Sequence, residues 1–422
     1  MGVEAVLVAR DAAEHVENQD LAAKIAAALI SAATAFAMLA NVAFVGSFTA
    51  SYLMVVLVGL VGLHVLTRPR LLFCREFALY AVFVAYLGLS TLWTLAPDRA
   101  SADNTISPAV NFLLIMLLFG SLLTFHNVRA VLTGLLAGFA AGALNYAYMT
   151  GFPFAYPPDF SYNSVASMYL FGLFAALALG WATHSKVLGT AIALVFFAHI
   201  AATTSIKTNL GILLGTGVAG LVYFRQSLVM VRRNVVTLLL VVCGGVYLVV
   251  SNEAVLERVT AGFDRVSLGL AVLNAREDLP GYSGFGEREY WVQQGLQGWA
   301  SNPLFGHGVE AFRTVYGITS HSTPIDLLFN TGLIGFSLFY GMFIALAWRL
   351  LKSVGASSRG LRALVLAVLV CNLFMALSAT LFYQTFLAGF VGISVALLRR
   401  LHANDKRPEP LNKFETPAAN IH

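Results

Sequence analysis

Charge is what this chain has least of. Asp, Glu, Lys and Arg together make up 11% of its 422 residues, whereas a water-soluble domain carries roughly 25%. That shortage excludes a soluble protein. Cysteine is scarce too: Cys74, Cys243 and Cys371 lie in or beside apolar runs, with none in the longest polar stretch. Their placement argues against a disulfide framework or a zinc site. The formal charge is +5, but no basic face interleaved with aromatics exists, which argues against a nucleic-acid partner. The sequence shows no paired-carboxylate glycosidase pattern, no glycine loop before Lys-Ser/Thr, no metal-ligand spacing and no cofactor motif. An Asp-x-Asp pair for a metal-bound nucleotide sugar is missing, which points to a leaving group activated by protein cations. Internal repeats and low-complexity tracts are absent. The first twenty residues have no small-residue cleavage site and read as a tail before a first anchor.

Apolar sequence is what the chain has instead. Hydrophobic residues are 58% of it, and the mean hydropathy is +0.77. Apolar runs recur at the length needed to span a hydrocarbon layer of roughly 30 Å. Window hydropathy predicts about twelve spans. Their cores are Ala22–Ala40, Val45–Leu66, Phe77–Leu95, Pro108–Phe125, Val131–Met149 and Val165–Ala182, then Val187–Thr204, Asn209–Phe224, Val235–Val250, Ile325–Trp348, Ala363–Leu381 and Phe386–Leu398. The fold class expected is an all-α polytopic membrane protein.

Connector charges alternate. One set carries Arg68, Arg70, Arg75, Arg129, Lys186, Arg225, Arg232, Arg233, Arg349, Lys352, Arg359 and Arg362, while the short connectors of the other set carry Arg99 and Lys207. The positive-inside rule places the first set and both tails in the cytoplasm. The expected organisation is a cytoplasmic tail at 1–21, spans over 22–250, an external loop at 251–324, spans over 325–398 and a cytoplasmic tail at 399–422. Three loops then share the outer face: Ala96–Ser107, Gly151–Ser164 and Ser251–Ser320. In the last, Glu287–Trp299 predicts an amphipathic helix with Trp291, Gly295 and Trp299 on one face, suited to the headgroup layer. Gly306–Gly308 reads as a turn. Thr323-Pro324-Ile325-Asp326 reads as a helix start with a threonine N-cap, and Gly332 and Gly335 as a close-packing surface.

Four kinds of residue stand out as candidates for chemistry. His321 precedes that helix start, where the partial positive charge of the N-terminus favours a neutral imidazole, fit for a general base. The competing reading is an interfacial histidine satisfying a loop carbonyl. Asp326 fits a capping role better than that of a partner for the ring. His307 is a competing base in a tight turn. Lys207 lies between two apolar runs, where a cation is costly and marks either an anion-binding site or snorkelling to phospholipid. Arg288 offers a bidentate fork to phosphate, or else joins its flanking glutamates in a surface ion-pair cluster. Arg265 and Arg313 are weaker candidates on the same loop.

His321-Ser322, nine residues, then Gly332-Leu-Ile-Gly335 resembles the mark of the O-antigen ligase and polymerase superfamily of bacterial membrane glycosyltransferases. Arg288-Glu-Tyr-Trp291 is similar to that family's Arg-x-x-Trp loop helix, and Asn302-Pro-Leu-Phe-Gly-His-Gly308 to its glycine turn. Ser205-Ile-Lys207 stands where many ligases have Ser-Arg-Gly, and Asn163 matches an asparagine before another span. The resemblance covers Tyr162–Gly335. It implies a GT-C-like fold in the bacterial inner membrane and a glycan donor on undecaprenyl pyrophosphate, used without metal or cofactor. His321 would deprotonate an acceptor hydroxyl with inversion, and Lys207 and Arg288 would hold the pyrophosphate. The acceptor would be a second lipid-linked glycan in a polymerase or lipid A core in a ligase, among membrane lipids and with a chain-length regulator protein as a further partner. Lys207, in place of arginine, keeps charge but loses the planar fork; a lysine in this element resembles the exopolysaccharide and O-antigen polymerases, which tilts the resemblance toward a polymerase. The rival from another class is a lipid-linked glycan transporter or flippase. Ionisable residues such as His64 and His199 inside spans fit it, whereas the lack of a repeat does not.

Overall fold

The computed structural model describes residues 20–38, 59, 62, 74–96, 99–150, 162–203, 205–223, 283–352, 359–382 and 384–405. Among these, the regular structure is helical. In chain order the helices are α1 (Asp20–Met38), then α2 (Arg75–Ser90), α3 (Arg99–Phe125), α4 (Val128–Thr150), α5 (Tyr162–Ala182), α6 (Lys186–Ala202) and α7 (Ile206–Tyr223). There follow α8 (Ser283–Ser301), α9 (Ala311–Tyr316), α10 (Thr323–Lys352), α11 (Arg359–Ala376) and α12 (Thr385–Asp405). Seven of the described helices are long and apolar enough to cross a membrane: α1, α3, α4, α5, α10, α11 and α12. The chain is a multi-pass membrane protein. The expected span at Val235–Val250 lies outside the described residues. So do the span at Val45–Leu66, apart from residues 59 and 62, most of the Gly151–Ser164 loop, residues 251–282 and both ends of the chain.

Side-chain size sets how closely these helices approach. Lipid tails give apolar helices no hydrophobic reason to associate, so packing distance dominates. On α4, a Cβ at Gly134 or Gly138 would fall 2.0 or 1.9 Å from the carbonyl oxygens of Ala28 and Ala32 on α1. On α7, Gly215 lies equally tight against Ala367 of α11, and on α12, Gly392 against Met116 of α3. Aromatic rings fill the centre: Tyr80 of α2 stacks on Phe112 of α3 at 4.3 Å and donates its hydroxyl to the Phe382 carbonyl. His199, weighed above as an ionisable group within a span, has its Nδ1 2.8 Å from the Val195 carbonyl of its own helix.

Two boundaries differ from the hydropathy reading. The Ala96–Ser107 segment is helical from Arg99 onward as the first turns of α3. Hydropathy marks where a span meets water, whereas helix geometry continues through any stretch without a breaker, and Arg99–Ser107 contains no glycine or proline. Conversely, α2 stops at Ser90 rather than Leu95, leaving residues 91–96 to pair with the segment that precedes α9.

Candidate functional site

The segment before α10 folds around Asp326. The Asp326 amide donates to the Ser322 carbonyl at 2.9 Å, the first bond of the helix. Ser322 is therefore the capping position, with Thr323 and Pro324 in the first turn, where a missing N–H costs nothing. The Asp326 carboxylate is 3% exposed. It accepts the Ser320 amide at 2.9 Å and the Thr380 hydroxyl at 2.9 Å. Ser320 Oγ donates to the Ser322 carbonyl at 3.0 Å and accepts the Ser322 amide at 3.1 Å. Residues 320 and 322 are thus fixed on either side of His321. That residue takes the left-handed conformation, φ 57°, with an exposed side chain. Few non-glycine residues adopt it, and histidine is enriched among those that do.

Thr323 does a different job from the one expected of an N-cap. Its hydroxyl donates to the Ala379 carbonyl at 2.6 Å and accepts the Leu381 amide at 2.8 Å. Its own amide also reaches Ala379. All three bonds tie α10 to the connector between α11 and α12. Lys207, half-buried in the first turn of α7, donates to the Ser378 carbonyl of that same connector. Just before it, Ser205 Oγ lies 2.9 Å from Thr208 Oγ1 and accepts the Thr208 amide, an N-terminal cap. Four consecutive connector residues, Ser378 to Leu381, therefore join Lys207 to the helix start that follows His321.

Below that start, α10 is broken. Gly332 adopts φ 61°, ψ −165°, a combination open only to glycine. The turn after α8 fills the break. His307 and Gly308 amides donate to the carbonyls of Phe329 and Asn330, and the Leu333 and Ile334 amides donate to Pro303 and Leu304. These four bonds pair backbone groups that the interruption leaves open, as burial demands. A Cβ on Gly332 would stand 2.3 Å from the Leu304 oxygen. Gly332 is thus the seat for a loop rather than a helix-packing surface, and Gly335 faces Thr331 of its own helix. Tyr86 of α2 locks the joint by donating to the Phe305 and Thr331 carbonyls, both at 3.1 Å. His307 is held here as well, its Nε2 2.9 Å from the Gly298 carbonyl and its ring 4.7 Å from Phe329.

Helix α8 covers the predicted Glu287–Trp299 segment, but its tryptophan face meets protein. Trp291 packs against Tyr316 and Phe312 of α9, and Phe312 meets Phe329 of α10 at 5.2 Å. Gly295 and Gly298 let α8 lie directly on Ile325 and Phe329. Trp299 Nε1 donates to the Pro303 carbonyl at 3.0 Å. The pattern that suits a headgroup layer equally suits a second helix, and α10 supplied one. Burial among these rings pushes the Tyr316 phenol above its ordinary value, so it stays a neutral donor.

The remaining candidates lie on other elements or outside the described residues. Arg313 is on α9 with an exposed side chain. Arg288 lies on α8 and Asn163 in the first turn of α5, with their backbones alone described, while Arg265 is outside the described residues. Sequence reading overlooked Ser378 and Thr380. The signal was there: two hydroxyl residues following an apolar run, at the point where the chain must reverse. No protein-family model matches this chain, and it matches no curated protein.

Proposed function

We propose that this protein is a glycosyltransferase that moves a glycan from an undecaprenyl-pyrophosphate carrier onto a sugar hydroxyl, and that it acts as a polysaccharide polymerase. The proposal includes a GT-C-like arrangement of about twelve spans in a bacterial inner membrane. Both termini would be cytoplasmic and His321 would face the periplasm. One observation carries the reading: Lys207 is bonded to Ser378 and the helix start after His321 to the next three residues, Ala379 to Leu381, of one connector. A cation and a candidate base from distant parts of the sequence are thereby tied to one support.

On this reading His321 takes the proton of the acceptor hydroxyl while the hydroxyl oxygen bonds to the anomeric carbon. The bond from that carbon to the pyrophosphate oxygen breaks with inversion, and its electron pair leaves with the carrier. Lys207 and Arg288 stabilise the charge that develops there. The rigid backbone either side of His321 serves a base that must be held still.

The test is His321→Ala in cells, with surface polysaccharide as the readout. Loss of a general base lowers turnover by about 10²–10⁴-fold. Long-chain polysaccharide at normal levels would sink the catalytic assignment. Single repeat units attached to core mark a polymerase. Full-length polymer stranded on the carrier would mark a ligase instead. The side chain of His321 is exposed, so the variant leaves no cavity in the core.

A further inference from the structure

At the opposite end of α10, the chain encloses a second feature that the glycan-transfer reading does not use. The start of α2 and the ends of α10 and α12 line a cavity of about 430 Å3. This is within the roughly 300–1,000 Å3 range of small-ligand pockets. Among the described residues its wall carries Arg75, Arg349, Lys352 and Arg399 against a single carboxylate, Glu76. Glu76 is 1% exposed and committed to Arg349 through two bonds of 2.8 and 3.0 Å. Three cations are then left over. Arg399 donates to the Cys74 sulfur. Burial pushes that thiol above its ordinary value, so it remains neutral and offsets none of the positive charge. Lys352 rests over the Trp348 ring at 4.6 Å.

The surroundings choose the anion. Ile344, Trp348 and Leu351 are 68%, 54% and 60% exposed along one face of α10, beside the cavity mouth. In a membrane-spanning helix such an apolar face meets acyl chains. Trp348, between the other two, has the amphipathic ring that settles at headgroup depth. Cations next to an acyl-chain track match a phosphate that carries its own tails.

We infer that this cavity binds the phosphodiester headgroup of an anionic phospholipid, with the acyl chains lying along Ile344–Leu351. Arg75 and Lys352, both exposed at the rim, make the outer contacts, and Arg399 the inner one. Arg349 is positioned by Glu76 and keeps the pocket open rather than spending its charge on the ligand. The site is independent of His321 and Lys207.

The full-length chain, purified in mild detergent, is exposed to phosphatidylglycerol or phosphatidylcholine, and retained lipid is counted by native mass spectrometry. Retention of phosphatidylglycerol over phosphatidylcholine is expected, falling at least fivefold in Arg75→Gln/Lys352→Gln. The single variant Lys352→Gln is expected to fall in the same direction, which guards against a double variant that does not fold. Lys186→Gln/Arg359→Gln removes the same charge from exposed positions elsewhere and is expected to change nothing. Equal retention by Lys352→Gln and the unaltered protein would overturn the site, as would an equal loss in the control. Displacement of the lipid by millimolar glycerol phosphate or inorganic phosphate would overturn the lipid and assign a free anion.

Discussion

The two ends of α10 meet the same problem with different chemistry. At its start, the buried carboxyl of Asp326 accepts a backbone amide and a hydroxyl. At its finish, arginines dominate: Arg349 pairs with Glu76, and nearby Arg400 caps the last carbonyls of α3 at 3.2 and 2.6 Å. Arg129 does the same for the end of α5 through the Ala182 carbonyl. Helix C-termini expose carbonyls that want cationic donors, whereas N-termini expose amides that want hydroxyls and acids. Beyond satisfying backbone, the first end is fixed by short-range hydrogen bonds that leave His321 displayed. The second keeps surplus positive charge. One end is built for geometry and the other for field.

The ion pair gives the sharpest way to break this contrast. Arg349→Ala leaves Glu76 buried without its partner, and removing one member of a buried pair costs about 3–5 kcal/mol. Glu76→Gln should cost less, because the Arg349 side chain is 30% exposed and can reach water. Thermal unfolding in detergent orders the two, and equal losses would deny the asymmetry. Gly332→Ala comes next. Forcing a β-carbon into that backbone region costs about 1–3 kcal/mol before any clash. The 303–308 turn would lose its seat, which limited proteolysis of that turn would detect.

Asp326→Ala tests the hydrogen-bonded end. It leaves the buried Ser320 amide unsatisfied, at about 1–3 kcal/mol, and frees the backbone beside His321. Activity should therefore fall further than the loss of folded protein accounts for, measured as polysaccharide made per folded molecule. Arg313→Gln is the smallest change. An exposed substitution away from such features stays within about 0.5 kcal/mol. A large loss of activity in that variant would move the anion site onto α9.

Much of the scaffold was readable from residues 20 to 405 in order. Val165–Ala182 and Phe386–Leu398 declare themselves by unbroken hydropathy, and the described helices contain them. What hydropathy misses is any helix that outlasts its greasy part, as α3 does before Ser107. The glycines of Gly332-Leu-Ile-Gly335 were legible as special but not as to purpose. A glycine that lets two helices touch and one that breaks a helix look identical in sequence. The two tryptophans of α8 misled for a similar reason, since an amphipathic face specifies that something apolar lies against it without saying what.

The sequence by itself determined that this chain lives in a membrane, where the apolar cores of the seven described spans lie and which connectors carry its positive charge. Hydropathy and charge are sums over neighbours in the chain, so they survive without a fold. The tertiary structure alone decided that Lys207 and Thr323 share the Ser378–Leu381 connector, that the Pro303–Gly308 turn fills the break at Gly332, and that Glu76 neutralises Arg349. Each of these is a hydrogen bond between residues far apart in sequence, and only the packing of the helices fixes which partners meet.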